Sequence, residues 1–145
     1  MIFVHGGAVG DIDNDGDVDI VLTELKNQLT CWINEGDGVM TYKVCGNIHA
    51  FAIELGDMNG DGYLDIINAG HEGGPSTDTG IVLNNGSGYF KKRIILPMIP
   101  KWTTIPELSI WDLDDDGDLD ITVSRAGHLY LSLIHISEPT RPRSI

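Results

Sequence analysis

Apolar residues come in short bursts along this chain, never in long amphipathic runs. Val18, Ile20 and Leu22 sit on alternating positions; so do Leu64 and Ile66, and again Leu119, Ile121 and Val123. A period of two marks a β-strand with one buried face. The opposite positions also carry apolar residues, Val21 and Ile67 among them, which predicts strands covered on both faces within stacked sheets. Each of these strands follows an Asp-rich stretch, and each Asp-rich stretch follows another short apolar strand, ending at Val9, Leu55 or Trp111. With 18 glycines and no helical period, the expected class is all-β with many turns.

The Asp-rich stretches are the most regular feature. Asp11–Asp19, Asp57–Asp65 and Asp112–Asp120 share one pattern: polar oxygen donors at positions 1, 3 and 5, Gly at 6 and Asp at 9. They start 46 and then 55 residues apart, a spacing that suits the blades of a propeller. A second pattern follows the first in order. Thr30-Cys31-Trp32-Ile33-Asn34 leads into Gly36-Asp37-Gly38, and Gly80-Ile81-Val82-Leu83-Asn84 leads into Gly86-Ser87-Gly88. Each reads as a strand, an Asn, a Gly-x-Gly turn and a returning strand, the glycines supplying the positive φ of a tight turn. The third unit starts this half at Leu129-Tyr130 and breaks off. The units are therefore drawn near 1–46, 47–100 and 101–130.

Charge sharpens the reading of the Asp stretches. The formal net charge is −13, and 14 of the 22 acidic residues lie in the three stretches. Carboxylates packed so closely repel one another unless a cation neutralises them. Calcium takes roughly six to eight oxygens at about 2.3–2.6 Å, and acidic groups at alternating positions of a tight turn converge on one point. The expected ligands are Asp11, Asp13, Asp15, Asp17 and Asp19 in the first loop. In the second they are Asp57, Asn59, Asp61, Tyr63 and Asp65, and in the third Asp112, Asp114, Asp116, Asp118 and Asp120. Asp17, Tyr63 and Asp118 would contribute backbone carbonyls. Up to three Ca2+ ions would bring the formal charge from −13 to about −7. Oxygen-only donors disfavour zinc and copper. An EF-hand needs Glu at position 12, where this chain has Leu22, Asn68 and Val123. The middle loop, with Asn59 in place of a carboxylate, is expected to bind calcium most weakly.

The same charge argues against nucleic acid as a partner. The one basic run, Lys91-Lys92-Arg93, reads as a solvated strand edge. No apolar run approaches the roughly 18 residues of a membrane span, and the opening Met1–Gly7 is too short for a signal peptide. Cys31 and Cys45 are expected as two buried thiols on neighbouring strands, in diagonal rather than facing positions, with a disulfide as the alternative. His49 and His128 read as structural, His5 lies near a terminus, and the Gly70–Gly80 loop with His71 and Glu72 reads as a plain surface loop.

Asp-x-Asp-x-Asp-Gly-x-x-Asp between strands, followed by Leu83-Asn84-Asn85-Gly86-Ser87-Gly88-Tyr89-Phe90, resembles the FG-GAP/VCBS repeat, the blade of integrin α-subunit propellers and of many secreted bacterial proteins. The resemblance covers about residues 5–130. It implies four-stranded blades with calcium held between the first two strands, and about two and a half blades do not close a ring. It also implies an extracellular or cell-surface setting and a non-catalytic role in binding a protein or carbohydrate ligand. The alternative is the propeller part of a calcium-dependent polysaccharide lyase. That reaction needs a base and a charge-stabilising partner, and no nucleophile–base pair or catalytic motif is legible; the His71–Glu72 loop is the nearest candidate.

The stretch from Leu131 to Arg141 fits neither pattern. It closely resembles the in-frame translation of a sequencing-library transposon adapter, so residues 131–145 are expected to be a non-native tail. His135 and the tail arginines are accordingly left out of any site.

Overall fold

The computed structural model describes residues 4–24, 28–70, 79–96, 107–125 and 127–132. Among the described residues there are eleven strands and no helix. The first sheet contains β1 (Val4–Gly10), β2 (Asp19–Glu24), β3 (Gln28–Asn34) and β4 (Met40–Gly46). The second contains β5 (Ala52–Gly56), β6 (Asp65–Ala69), β7 (Gly80–Asn84) and β8 (Phe90–Ile95). The third contains β9 (Glu107–Trp111), β10 (Asp120–Arg125) and β11 (His128–Ser132). Each is an antiparallel meander in which strands pair in chain order. The described strands do not close a ring. β11 pairs with β10 through Leu131 and Ser132, opposite Thr122 and Ile121. Residues 133–145 and the His71–Glu72 loop lie outside the described residues.

Turn chemistry sets the strand ends. Gly36, Gly38, Gly86 and Gly88 all take positive φ in the β3–β4 and β7–β8 connections, a conformation that costs a side chain-bearing residue energy. The paired Asn34 and Asn84 accept the N–H of Gly36 and Gly86 through their side-chain oxygens, at 3.2 and 3.0 Å.

The sheets stack face to face, with the first strands β1, β5 and β9 side by side. One apolar cluster joins the first sheet to the second, including Val21, Cys31, Ile33, Ile53, Ile66 and Val82. Another joins the second to the third, including Ile67, Ala69, Ile81, Leu108, Ile121 and Val123. Burial of each such side chain contributes about 1.5–3 kcal/mol.

The repeat obeys a simple rule of direction. The residue just after the closing Asp faces the preceding sheet; the next one faces the following sheet. Ile66 and Ile121 therefore belong to different clusters, as do Val21 and Ile67. In the middle sheet both neighbours are present and every residue of β6 is buried, as strands apolar on both faces require. In the first sheet the rule leaves Ile20 and Val18 exposed and buries Val21 and Thr23. The alternating set Val18, Ile20 and Leu22 is thus not the covered face of that strand. The same period of two describes either face, and only the neighbouring sheet decides which is covered.

Cys31 and Cys45 form a disulfide rather than two thiols, with Cα atoms 5.8 Å apart. Cys31 pairs in register with Lys43, so the two cysteines are indeed diagonal. The ladder shifts between Leu29 and Thr30, which pair with Gly46 and Val44, leaving Cys45 as the extra residue of β4. A bulge of this kind re-aims a side chain, and both cysteines are buried.

Lys91 and Lys92 are exposed on β8, the edge strand of its sheet. His5 and His49 pack on Phe51, with ring centroids 4.3 and 5.4 Å away. His128 starts β11 and is exposed.

Candidate metal centre

All three Asp loops connect the first two strands of a sheet and share one backbone. The glycines at position 6, Gly16, Gly62 and Gly117, have φ of 98°, 90° and 93°. A Cβ there would meet nothing within 4 Å, so the backbone conformation alone calls for glycine. Position 4 is left-handed too: Asn14, Gly60 and Asp115 have φ of 61°, 72° and 57°, which Asn, Asp and Gly tolerate best.

Backbone N–H groups hold the carboxylates in place. The first Asp of each loop accepts from positions 5 and 6: Asp11 from Asp15 and Gly16 at 3.1 and 2.9 Å, Asp57 from Asp61 and Gly62 at 3.1 and 2.8 Å, and Asp112 from Asp116 and Gly117 at 3.1 and 3.0 Å. The position-5 carboxylates of Asp15, Asp61 and Asp116 each accept the N–H of position 7, from Asp17, Tyr63 and Asp118, at 2.9 Å.

This arrangement brings Asp11, Asp13 and Asp15 together with one carboxylate oxygen each within 4.8 Å of the others, and does the same for Asp112, Asp114 and Asp116. The middle loop is wired differently. Asn59 donates its side-chain amide to Asp61 Oδ2 at 2.9 Å, so an amide hydrogen takes up an acceptor that a cation would otherwise use.

A cation suits the first loop on an observation apart from charge. Asp13 Oδ1 is buried and has no hydrogen-bond partner. An orphaned carboxylate oxygen is costly to desolvate, and a hard cation supplies the missing partner. Burial, then the charges of Asp15 and Asp19, push the Asp13 carboxyl above its ordinary range, while Lys43 opposes the rise. Asp114 shifts the same way, through desolvation and then repulsion from Asp116 and Asp120. Asp11, Asp13 and Asp15 would hold the ion in the first loop, and Asp112, Asp114 and Asp116 in the third.

The closing Asp residues do more than the spacing suggested. Asp19, Asp65 and Asp120 are buried at the first position of β2, β6 and β10 and lie outside the two carboxylate triples. Asp19 accepts the N–H of Ile12 at 2.9 Å and of Asn34 at 2.8 Å. Asp65 accepts those of Met58 at 3.1 Å and Asn84 at 2.9 Å. Asp120 accepts that of Leu113 at 2.9 Å. Each therefore pins the start of its loop, and the first two also pin the end of the third strand. Burial pushes the Asp65 carboxyl up to about 6, against the two hydrogen bonds and with smaller contributions from Asp61 and Asp57.

Asn84 was legible only as part of a turn motif, yet it joins two sheets. Its amide donates to Leu64 O at 3.1 Å and to Ile12 O of the preceding sheet at 2.7 Å. Two more cross-sheet bonds lie near the loops, from Asn14 Nδ2 to Gly62 O at 3.3 Å and from Lys43 Nζ to Ser87 O at 3.1 Å. No local sequence pattern marks these, because they depend on how neighbouring sheets stack.

Residues 11–68 match the family model of the FG-GAP-like repeat. Over those residues the chain is similar to an FG-GAP-like repeat. The match runs from the first residue of the first Asp loop through the second Asp loop to Asn68 in β6, so both halves of the repeat fall within it. No curated protein matches the chain. Among the described residues, no helix is long and apolar enough to cross a membrane.

Proposed function

We propose that the chain is a calcium-stabilised, non-catalytic extracellular repeat module whose blades present a surface to a protein or glycan ligand. The observation that carries the calcium reading is the orphaned, buried Asp13 Oδ1 within a set of three converging carboxylates. The full ligand sets are those predicted from the spacing, with Asp17, Tyr63 and Asp118 offering backbone carbonyls and Asp19, Asp65 and Asp120 closing the loops. The blades correspond to units near 1–46, 47–100 and 101–130. Calcium acts on the fold: it neutralises repelling carboxylates and binds only the folded loop, adding stability by linkage. The Cys31–Cys45 disulfide suits an oxidising, extracellular setting. The ligand class rests on likeness to FG-GAP proteins, because a fold hosts many functions.

The test is a thermal melt of the whole chain in calcium and in chelator. One site held at a hundredfold over its Kd adds about 2.7 kcal/mol, which for a domain of this size means a rise of about 5 °C or more. An unchanged melting temperature would refute the calcium reading.

A further inference from the structure

Positive charge is sparse in this chain and it is not scattered. Among the described residues there are five Lys and Arg, and four of them, Lys43, Lys91, Lys92 and Arg93, lie on β4 or β8. These are edge strands of two neighbouring sheets. The sheets fan out from their first strands: β1 and β5 lie side by side, whereas β4 and β8 touch only locally. They meet at Gly46, where a Cβ would lie 2.9 Å from Phe90 O. Beside that point the two edges part and leave a cleft of about 350 Å3, formed wholly between two sheets of the chain.

Buried Ile48 and Phe90 give the cleft an apolar floor, and Asn47, Tyr89, Lys91 and Arg93 stand around it. Both edge strands are bulged here. Cys45 is the extra residue of β4; in β8 the ladder shifts between Leu83 and Asn84, which pair with Lys92 and Phe90 and leave Lys91 as the extra one. Bulges re-aim side chains and are common beside active sites, and Cys45 and Lys91 both line this cleft. One wall is braced from across the gap. Lys43 Nζ donates to Ser87 O at 3.1 Å and lies 4.8 Å from the centre of the Tyr89 ring. The formal net charge is −13, yet among the described residues no carboxylate lines the cleft.

We propose that this cleft binds one uronic acid unit of an acidic glycan, with Arg93 and Lys91 holding its carboxylate and Asn47 its hydroxyl groups. The inference rests on the ligand-binding role proposed above and names the ligand class. A guanidinium fork matches a carboxylate in shape and charge. An inorganic anion would leave the apolar floor and the Tyr89 ring unused, and a neutral sugar would leave two cations without a counter-charge. The volume lies within the range of small-molecule pockets. Elsewhere the acidic chain repels a polyanion, so an acidic glycan is engaged at this one place.

The test is an amide NMR titration of the full chain in calcium with methyl glucuronoside. Shifts are expected at residues 44–48 and 89–93. Methyl glucoside, without the carboxylate, and acetate, without the ring, should each bind at least about tenfold more weakly. Arg93→Gln should weaken binding of the glucuronoside by about tenfold or more. Lys91→Gln should weaken it about threefold, as suits an exposed ion pair. Lys92→Gln, on the same strand but outside the cleft, should leave it unchanged. Should Arg93→Gln lose the native spectrum, the pair of exposed lysine variants decides. No shift in the cleft overturns the site, even where the melt in chelator upholds the calcium reading. Shifts confined to the Asp loops put the carboxylate on calcium; they overturn the cleft and keep the ligand-binding role. An equal response to methyl glucoside, or equal losses in Lys91→Gln and Lys92→Gln, would overturn the anionic site.

Discussion

The loops at Asp11 and Asp57 have the same backbone and differ in what they do with it. Both take left-handed φ at positions 4 and 6, both anchor their first Asp on two N–H groups, and both close on a buried Asp that reaches the end of the third strand. In the first loop three carboxylates converge and one oxygen is left without a donor. In the second an amide fills that role from within. The loop shape is therefore built by hydrogen bonds that need no ion, and demand for a cation is set separately, by position 3. Scaffold and ligand set can vary independently.

The scaffold half of this comparison is the most costly to disturb. Asp65→Ala leaves the N–H groups of Met58 and Asn84 without their buried acceptor, and each orphaned group costs about 1–3 kcal/mol. A loss of about 3 kcal/mol or more is expected in urea denaturation, and Asp19→Ala should match it within about 1 kcal/mol if the two loops share one scaffold. A large gap between the two variants would break the comparison.

The pH dependence of the metal-free protein sharpens it next. Burial lifts the Asp65 carboxyl from 3.8 to about 6. The folded state then holds this proton more tightly than the unfolded chain does. Its contribution is most favourable below 3.8 and is lost as pH rises from 3.8 to about 6. Denaturation midpoints in chelator should fall across that window, and Asp65→Asn should flatten the fall. A midpoint that rises instead would reverse the sign assigned to Asp65.

The smallest expected effect concerns the ligand half. Asn59→Asp removes the internal amide donor and adds a charge, making the middle loop resemble the first. Calcium affinity at that loop should rise about tenfold, equivalent to about 1.4 kcal/mol. Calorimetric titration reads this, with Asp13→Asn as the reverse experiment in the first loop. Equal affinities before and after would show that position 3 does not set the demand for the ion.

Strands, turns and Asp loops were legible because their signals are local: a period of two, Gly at fixed offsets, acidic residues on alternate positions. What stacking decides was not. Ile20 and Ile66 occupy the same place in their repeats, yet one is 38% exposed and the other 0%, because among the described residues only the second has a sheet packed before it. Asn84 looked like a turn residue until the preceding sheet brought Ile12 O within 2.7 Å. The disulfide needed a bulge at Cys45 that no count of residues across the hairpin foretold. The spacing marks the closing Asp residues, while their burial and the N–H groups that Asp19 and Asp65 accept from Asn34 and Asn84 depend on where the third strand ends.

The bond between Cys31 and Cys45 also bears on how this module would carry a mechanical load. β4 is an edge strand of its sheet, and its ladder pairs it with β3 alone. Pulled from its end, such a strand unzips one rung at a time. The cross-link stops that peeling at the bulge, so tension along the chain is passed to β3 and from there to the core. An edge strand of the first sheet is thus also covalently fastened.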